Sequence, residues 1–372
     1  MLKYLLMGGV REPTYELWGV GYNQYGSLGQ SNNTNYSSPV QIGSYHVVDA
    51  AAGSNFGCYI LDDGTMWGSG YDNNTGQCGL GVNYPTSSPG QLGSSSDWAR
   101  CSGGGALRAV KNDGTLWAWG SNNRGQLGLG HGTDNTTRTP TQVGALTDWD
   151  INDKATNHGS GYEQCYIKDD GQLWMWGENL YGTFGLSTIT RYSSPVTVGS
   201  PNEYDQVATG ANHMILLKPN GTIWASGRNG TWGALGNGST TDLSSPVQIG
   251  TSTDWVKVRA FDLGCFAINA GGELYSWGHN WVGQQGHGDT TYRSTPTQVG
   301  ALTDWDDISS AQAVVRAIKT DGTVWAWGHN DKGGLGDGSS IDRSSPVQVW
   351  SGGEYKYTTR SSHQTSYLLK EV

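Results

Sequence analysis

The sequence lacks the features by which nucleic-acid-binding proteins and most enzymes are recognised. Its 22 Lys and Arg residues are outnumbered by 32 Asp and Glu residues, which gives a formal net charge of −10, and no basic cluster or basic tail is present. A phosphate-binding surface requires concentrated positive charge, so nucleic acid is not an expected partner. The sequence also contains no P-loop, no dinucleotide-binding glycine motif, no H-E-x-x-H and no Ser/His/Asp motif. We therefore expect a non-enzymatic protein with no catalytic residues, no cofactor and no metal ion.

Long apolar runs and paired cysteines are likewise missing. No segment is long and apolar enough to form a membrane-spanning helix, so membrane insertion is not expected. The five cysteines form no C-x-x-C pair, and their odd number favours free thiols over a disulfide framework. The apolar run within residues 1–13 is too short for the h-region of a signal peptide, and we interpret these residues as a terminal strand or a tuck against the domain.

Phenylalanine is scarce, at 4 residues, whereas glycine (58) and tryptophan (17) are abundant. No stretch shows helical periodicity over three turns. Instead, Gly, Ser, Thr and Asn separate short runs of β-branched or aromatic residues. This composition is typical of an all-β protein with many turns.

The chain is built from seven copies of one repeat, and the clearest copy begins at Asp113 with Asp-Gly-Thr-Leu-Trp-Ala-Trp-Gly. The copies begin near residues 14, 63, 113, 170, 220, 271 and 321, and a spacing of about 50 residues is typical of propellers and solenoids. Each copy contains four short strand-like runs. The sequence therefore predicts an all-β fold, a single seven-bladed β-propeller of four-stranded blades over residues 14–372.

Two half-repeats lie at the ends of this array. Glu16–Gly21 matches the second half of a strand–turn–strand junction found elsewhere in the chain, and Ser366–Lys370 matches the first half. We therefore expect these two runs to pair in one blade and to close the ring.

The repeated tryptophans and Asp-Gly pairs are interpreted as parts of the fold. Alternate side chains of a strand share a face, so Trp117 and Trp119 lie on one face and Leu116 and Ala118 on the other. Both faces are apolar, which predicts that neighbouring blades cover the strand on both sides. The Asp-Gly pairs are assigned to hairpin turns rather than to metal binding, because they lie far apart.

The repeats resemble the regulator-of-chromosome-condensation family. The resemblance rests on Trp-Gly-x-Asn-x-x-Gly-Gln-Leu-Gly at Trp119–Gly128, on a later Pro-x-x-Val and on Gly-x-x-His at Gly210–His213. It covers roughly Thr14 to Lys370 and implies the seven-bladed propeller. Members of the family range from nucleotide exchange factors to photoreceptors and binding scaffolds, so the fold does not fix the function. The clean, nearly identical copies are most similar to prokaryotic and phage-encoded members, which are often virion or surface proteins.

From this resemblance we expect a non-catalytic binding or structural propeller, first of all a virion or surface component that engages other proteins or glycans. The alternative is an intracellular protein-interaction scaffold, or a regulator of a small GTPase similar to a guanine nucleotide exchange factor. The shortness of the insertions and the lack of a basic tail weaken the exchange-factor interpretation. The compartment stays open between a virion or cell surface and the cytoplasm.

The residues that break the repeat are the candidates for function. In each Gly-x-Asn-x-x-Gly turn, the two residues before the last glycine differ from copy to copy, although only turn geometry is required there. We expect these turns at the rim of one face, where exposed aromatic residues mark protein interfaces or sugar-stacking sites. The alternative is partial packing against a neighbouring turn. The predicted partner-binding residues are Tyr25, Arg124, Tyr181, Trp232, Trp281 and Lys332.

Overall fold

Strands account for nearly all of the regular structure. The computed structural model describes residues 14–371 apart from 54, 72–75, 82–83, 105, 132–135, 150–154, 157–161, 312, 352–354 and 358–364. Over these residues it contains 27 β-strands, one 3-10 turn at Gly230–Trp232 and no α-helix. No helix in this part of the chain has the length and apolar character needed to cross a membrane. Residues 1–13, predicted to form a strand or a tuck, lie outside the described residues.

The strands are numbered in chain order. The first nine are β1 (Tyr15–Gly21), β2 (Tyr36–Ala52), β3 (Phe56–Leu61), β4 (Met66–Gly70), β5 (Thr86–Gln91), β6 (Trp98–Ser102), β7 (Ala106–Lys111), β8 (Leu116–Gly120) and β9 (Thr137–Gln142). The next nine are β10 (Ala155–Thr156), β11 (Glu163–Ile167), β12 (Leu173–Gly177), β13 (Tyr192–Val198), β14 (Gln206–Thr209), β15 (His213–Leu217), β16 (Ile223–Gly227), β17 (Leu243–Gln248) and β18 (Trp255–Phe261). The last nine are β19 (Gly264–Asn269), β20 (Leu274–Gly278), β21 (Arg293–Gln298), β22 (Trp305–Ala311), β23 (Val314–Lys319), β24 (Val324–Gly328), β25 (Arg343–Trp350), β26 (Tyr355–Tyr357) and β27 (Thr365–Glu371).

The described strands form six hydrogen-bonded sheets, which corrects the prediction of seven separate four-stranded blades. Three sheets are four-stranded and follow the chain order, namely β6 to β9, β18 to β21 and β22 to β25. The long strand β2 is the main reason for the difference. Its residues 36–47 pair with β1 and its residues 47–52 pair with β3, so the strands of two repeats join in the seven-stranded sheet β26-β27-β1-β2-β3-β4-β5.

A second departure lies in the third repeat. The short strand β10 pairs in parallel with β14, through Ala155↔Val207 and Thr156↔Ala208. Within the described residues, this pairing gives a five-stranded sheet, β10-β14-β15-β16-β17, and leaves β11 to β13 as a three-stranded sheet.

The first and last strands are joined along their whole length. The antiparallel register of β1 and β27 runs from Tyr15↔Glu371 to Gly21↔Thr365. Leu17 and Leu369 lie in one buried apolar cluster beside this junction. The predicted pairing of the two half-repeats is therefore confirmed.

The second tryptophan of the repeat is fully buried, and Trp176, Trp277 and Trp327 form a hydrogen bond to the preceding repeat. Trp176 Nε1 donates a hydrogen bond to the carbonyl oxygen of Gln126 at 3.0 Å. Trp277 makes the equivalent bond at 3.1 Å. Where the repeat has serine at this position, the hydroxyl of Ser226 donates to the carbonyl oxygen of Thr183 at 2.9 Å. These bonds, and the apolar clusters between the sheets, confirm that the repeated tryptophans hold neighbouring repeats together.

The Asp-Gly-Thr-x-Trp run forms a chain of hydrogen bonds at the other end of the strands. Asp113 Oδ1 accepts from Thr115 Oγ1 at 2.6 Å, and Thr115 Oγ1 accepts from Trp117 Nε1 at 2.8 Å. The bonds from Thr115 lower the pKa of Asp113. Gly114 has a φ of 77°, a left-handed conformation that glycine adopts without steric cost. The assignment of the Asp-Gly pairs to hairpin turns is confirmed.

A lysine held between two aromatic rings is a repeated feature that the sequence did not reveal. Lys168 Nζ lies 4.8 Å from the ring centroid of Trp149 and 5.2 Å from that of Trp174, and it pairs with Asp148. The equivalent lysines are Lys111, Lys218 and Lys319. Each of these cations is thereby stabilised inside the fold.

Candidate functional site

The turns that follow the repeated strand ending in glycine lie at one end of the strands, which we call the turn face. Its described turns span residues 22–29, 121–128, 178–185, 228–236, 279–286 and 329–336. All six residues predicted to bind a partner belong to these turns. The turn face is therefore where the sequence prediction can be compared with the structure.

A buried asparagine fixes the shape of each of these turns. Asn179 Oδ1 accepts from the backbone N–H of Phe184 at 3.0 Å, and its Nδ2 donates to the carbonyl oxygen of Thr188 at 2.9 Å. The equivalent bonds to Oδ1 are made at Asn23, Asn122, Asn229, Asn280 and Asn330. Because the asparagine sets the backbone of the turn, the two residues before the next glycine are free to vary.

Four of the predicted residues contact the first residue of the turn in the next repeat. The pairs are Tyr25 with Tyr71 (ring centroids 4.6 Å apart), Arg124 with Glu178 (3.1 Å between Nη1 and Oε1), Tyr181 with Arg228 (5.2 Å from ring centroid to guanidinium carbon) and Trp232 with His279 (ring centroids 5.6 Å apart). The alternative expectation, packing against a neighbouring turn, is confirmed for these four residues. Their role in binding a partner stays a prediction.

The other two predicted residues, Lys332 and Trp281, are exposed. Lys332 forms an ion pair with the neighbouring Asp331 at 3.0 Å. Trp281 is 73% exposed, more than any other large apolar side chain among the described residues. Burying such a side chain against a partner removes a large apolar surface from water, so Trp281 is the strongest single candidate for a contact residue.

Trp281 belongs to a continuous strip of side chains that crosses three successive repeats. We define the aromatic strip as Tyr181, Arg228, Trp232, His279, Trp281 and Tyr292. The ring of His279 lies 5.6 Å from that of Trp232, 6.0 Å from that of Trp281 and 5.1 Å from that of Tyr292. The guanidinium carbon of Arg228 lies 5.3 Å from the ring centroid of Trp232 and 5.2 Å from that of Tyr181.

Three members of the strip were not predicted from the sequence. Arg228 and His279 each follow the last glycine of the repeated strand, and this shared position is the only signal that could have found them. Tyr292 lies in the loop before β21 and carries no repeat signal. Contacts between turns of different repeats join Arg228 to Tyr181 and His279 to Trp232. Tyr292 joins the strip through His279 of its own repeat.

His279 connects the two halves of the strip as a neutral ring. Burial lowers its pKa, and the nearby carboxylate of Asp262 opposes this effect only in part. Gln284 Nε2 lies 2.9 Å from His279 Nδ1 and fixes the orientation of the imidazole. At neutral pH His279 therefore acts as an aromatic spacer and not as a cation.

A buried acidic pair lies beside Arg124, with Glu163 at the end of the third repeat and Glu178 at the start of the fourth. Glu178 accepts from Arg124 at 3.1 Å and from Arg191 at 3.5 Å. Glu163 is buried, and its Oε1 has no hydrogen-bond partner among the described residues. Burial, together with the negative charge of Glu178, raises the pKa of Glu163 well above its usual range. Ionisation of Glu163 therefore opposes folding.

Replacing Glu163 by glutamine is expected to stabilise the protein, and increasingly so as the pH rises. An unfolded Glu side chain has a pKa of about 4.3. Because the folded pKa is raised, the wild type carries no penalty below the unfolded pKa and loses stability as the pH rises towards the folded value. Between these two pKa values, the free energy of unfolding of the wild type falls by about 1.4 kcal/mol for each rise of one pH unit. Thermal unfolding is measured at intervals from pH 5 to pH 8. The melting temperature of Glu163→Gln should exceed that of the wild type by an amount that grows with pH.

Glu203 provides a control of opposite sign for this experiment. Its pKa is lowered by a hydrogen bond from the backbone N–H of Ser200, with a further contribution from Lys218. Stability from this group is present above the unfolded pKa and is lost as the pH falls. Glu203→Gln should therefore destabilise the protein at pH 7. A constant difference between Glu163→Gln and the wild type across the pH range would contradict the account.

The opposite end of the strands, the hairpin face, carries the Asp-Gly turns and a groove of about 820 Å³ lined by residues that include Trp255, Arg259 and Asp307. Arg259 and Lys257 both pair with Asp307, at 3.1 and 3.3 Å. The lining as a whole has three basic residues (Lys218, Lys257 and Arg259) and three acidic residues (Asp205, Asp254 and Asp307). Its charges therefore balance, and the groove is a weaker candidate than the aromatic strip. Within the residues that the structure describes, no group of three or more His, Cys, Asp or Glu side chains is placed to hold a metal ion.

These features define the class of protein, an all-β propeller of tryptophan-rich repeats with variable turns on one face. A model of the regulator of chromosome condensation (RCC1) repeat matches residues 16–60, 113–153, 170–217, 271–314 and 321–362. A second model of the same repeat matches residues 47–77. The matches cover more than half of the chain, which therefore belongs to the RCC1 repeat family.

Three relatives are 29–32% identical to parts of this chain. The X-linked retinitis pigmentosa GTPase regulator of Canis lupus familiaris is 31% identical over 142 residues, 37% of this chain and 14% of that protein. The human E3 ubiquitin-protein ligase HERC2 is 29% identical over 167 residues, 43% of this chain and 3% of that protein. The protein RCC2 homolog of Xenopus laevis is 32% identical over 149 residues, 39% of this chain and 29% of that protein. The chain thus spans less than a third of the length of each of these relatives.

Solved structures of low sequence identity share the fold over nearly the whole chain. Human WBSCR16 superposes with a TM-score of 0.82 at 18% identity and covers 96% of this chain and 99% of its own. Prp20p of Saccharomyces cerevisiae gives 0.80 at 16% identity and covers 98% of this chain and 93% of its own. These likenesses show the propeller fold.

The comparisons give no support to part of the sequence-based interpretation. These relatives and structures come from dog, human, frog and yeast, and none is named as a virion or glycan-binding protein. The expected likeness to prokaryotic and phage proteins, and the virion and glycan roles that followed from it, are therefore unsupported. The alternative interpretation, a protein-interaction propeller, agrees better with the family.

Proposed function

We propose that this chain is a non-catalytic propeller that binds a protein partner through its turn face, with Trp281 as the central contact residue. The observation that carries the proposal is the high exposure of Trp281 at the end of a strip of aromatic side chains that the fold itself holds in place. A rigid aromatic anchor loses little conformational entropy on binding and is typical of interface hot spots.

The family supports a protein partner rather than a small molecule. Prp20p, which shares the fold, was characterised with its binding properties to Gsp1p and histones. The relatives named as a GTPase regulator and as a ubiquitin ligase match this chain over less than half of its length. A role in regulating a small GTPase is the second candidate, and the name of the first of these relatives favours it. Accelerated release of labelled GDP from a small GTPase would identify that role.

Replacing Trp281 by serine should weaken partner binding without changing the fold. Displayed random twelve-residue peptides selected on the wild type provide defined ligands, whose dissociation constants are measured by fluorescence anisotropy. We expect affinity to fall at least about 10-fold in Trp281→Ser, because truncation of an anchor residue costs more than about 1.4 kcal/mol.

Tyr84→Ser is the matched control, since Tyr84 is 62% exposed but lies in a loop of a different repeat, outside the aromatic strip. It should bind the selected peptides as the wild type does. Equal affinities for the wild type and Trp281→Ser, with both proteins folded, would overturn the proposal.

A further inference from the structure

We propose that the partner segment bound by the aromatic strip carries a carboxylate close to a large apolar side chain, and that Arg228 binds the carboxylate. This inference rests on the proposed function and names the chemistry of the partner. Arg228 is half-buried, and its guanidinium carbon lies 5.2 Å from the ring centroid of Tyr181 and 5.3 Å from that of Trp232. The two rings hold the planar group in one orientation before any ligand binds.

Within the part of the chain that the structure describes, Arg228 has no carboxylate partner, unlike four other arginines that lie in the turns or where the strand after a turn begins. Those four have carboxylate partners, with Arg124 and Arg191 on Glu178, Arg293 on Asp289, and Arg343 on Asp337. Among the described residues, no carboxylate forms an ion pair with Arg228. A guanidinium group has five N–H donors in a fork that matches the two oxygens of a carboxylate. Arg228 is thus an oriented cation whose donors are available to a ligand.

Apolar side chains extend the strip on both sides of Arg228. Leu180, next to Tyr181, is 55% exposed, and Trp281 lies at the other end. From Arg228 the strip reaches Trp281 in three steps of 5.3, 5.6 and 6.0 Å, through Trp232 and His279. An extended peptide advances about 3.3 Å per residue. One acidic and one large apolar residue within about five positions of each other can therefore reach Arg228 and Trp281 together.

The strip disfavours a cationic ligand. An open aromatic cage would accept a lysine or methyl-lysine side chain. Here the ring of His279 already packs against Trp232, Trp281 and Tyr292, and the fixed charge of Arg228 repels a second cation. The overall net charge of −10 also opposes a run of acidic residues. A single carboxylate next to an apolar side chain is the chemistry that this arrangement favours.

The experiment is a selection of displayed twelve-residue peptides on the wild type, followed by affinity measurements on arginine variants. Peptides selected on the wild type should contain Asp or Glu within about five positions of Trp, Phe, Tyr or Leu more often than the unselected library. Arg228→Gln should weaken their binding at least about 10-fold, as expected for loss of a charge-assisted pair. The affinity of Arg228→Lys should lie between those of the wild type and Arg228→Gln, because lysine keeps the positive charge but lacks the forked N–H donors of arginine. Arg191→Gln, which changes an arginine already paired with Glu178, should bind as the wild type does.

Three outcomes would overturn the inference. They are selected peptides without enrichment in acidic residues, equal affinities for Arg228→Gln and Arg191→Gln, or at least 10-fold tighter binding when the acidic residue is replaced by phosphoserine. If binding depends on Trp281 but not on Arg228, this inference fails and the proposed function stands. If binding depends on neither residue, both fail. Circular dichroism of each variant establishes that the fold is retained.

Discussion

Replacing Trp176 by alanine is expected to lower the free energy of unfolding by about 3–5 kcal/mol, the usual cost of removing a large buried aromatic side chain. The indole is fully buried and stacks on Tyr166 with ring centroids 5.2 Å apart and planes at 6°. It also meets Trp149 edge-on at 5.9 Å. Its loss would leave a cavity between two sheets and the carbonyl oxygen of Gln126 without its donor. Urea denaturation at neutral pH measures the change directly.

Trp281→Ala is the matched control for this measurement, because it makes the same change at the most exposed tryptophan. Trp281→Ala should change the free energy of unfolding by no more than about 0.5 kcal/mol, as most surface substitutions do. Comparable losses in the two variants would show that the division between structural and exposed tryptophans is wrong.

Deleting residues 365–372, which include β27, is expected to abolish cooperative folding. This strand pairs with β1 at all seven positions from Tyr15↔Glu371 to Gly21↔Thr365. It also buries Tyr367, Leu368 and Leu369, and three such side chains contribute about 5–9 kcal/mol. That amount is comparable with the whole stability of a typical domain, about 5–15 kcal/mol. The deletion would also expose β1 as an unpaired edge that favours aggregation.

Thermal unfolding and size-exclusion chromatography test this expectation. The shortened protein should lose its unfolding transition and elute as aggregates, and a synthetic peptide of residues 363–372 added during refolding should restore part of the monomer. Lys370→Ala is the control, because Lys370 is partly exposed and lies 3.8 Å from Glu16, so its loss should cost at most about 1 kcal/mol. A shortened protein that unfolds with the wild-type midpoint would show that β27 does not hold the ring.

The repeat made much of the fold predictable. A period of about 50 residues and the alternation of apolar residues predicted the β-propeller, the burial of the tryptophans and the β1–β27 pairing. The number of sheets was not predictable in the same way. The first repeat lacks the Asp-Trp pair that begins the inner strand in other repeats, as at Trp98 and Trp305. In this repeat β2 continues without a break from its pairing with β1 to its pairing with β3.

The candidate site was predictable only in part. Variation between copies identified the turns and Trp281, since exposed positions without a turn role are free to change. It could not show that Trp232 packs on His279 or that Tyr181 covers Arg228, because these contacts join repeats that lie side by side in space. The repeated lysines, such as Lys168, were missed for the same reason, since the aromatic rings and the carboxylate around each lysine come from separate strands and loops.

Hydrogen–deuterium exchange of the wild type with and without a selected peptide tests most directly whether the turn face is the binding face. We expect the peptide to slow amide exchange in residues 228–236 and 279–286, which carry Arg228, Trp232 and Trp281. Exchange in the hairpin-face turns at residues 270–272 and 320–322 should not change. Protection of the hairpin-face turns, with the turn face unaffected, would contradict the account.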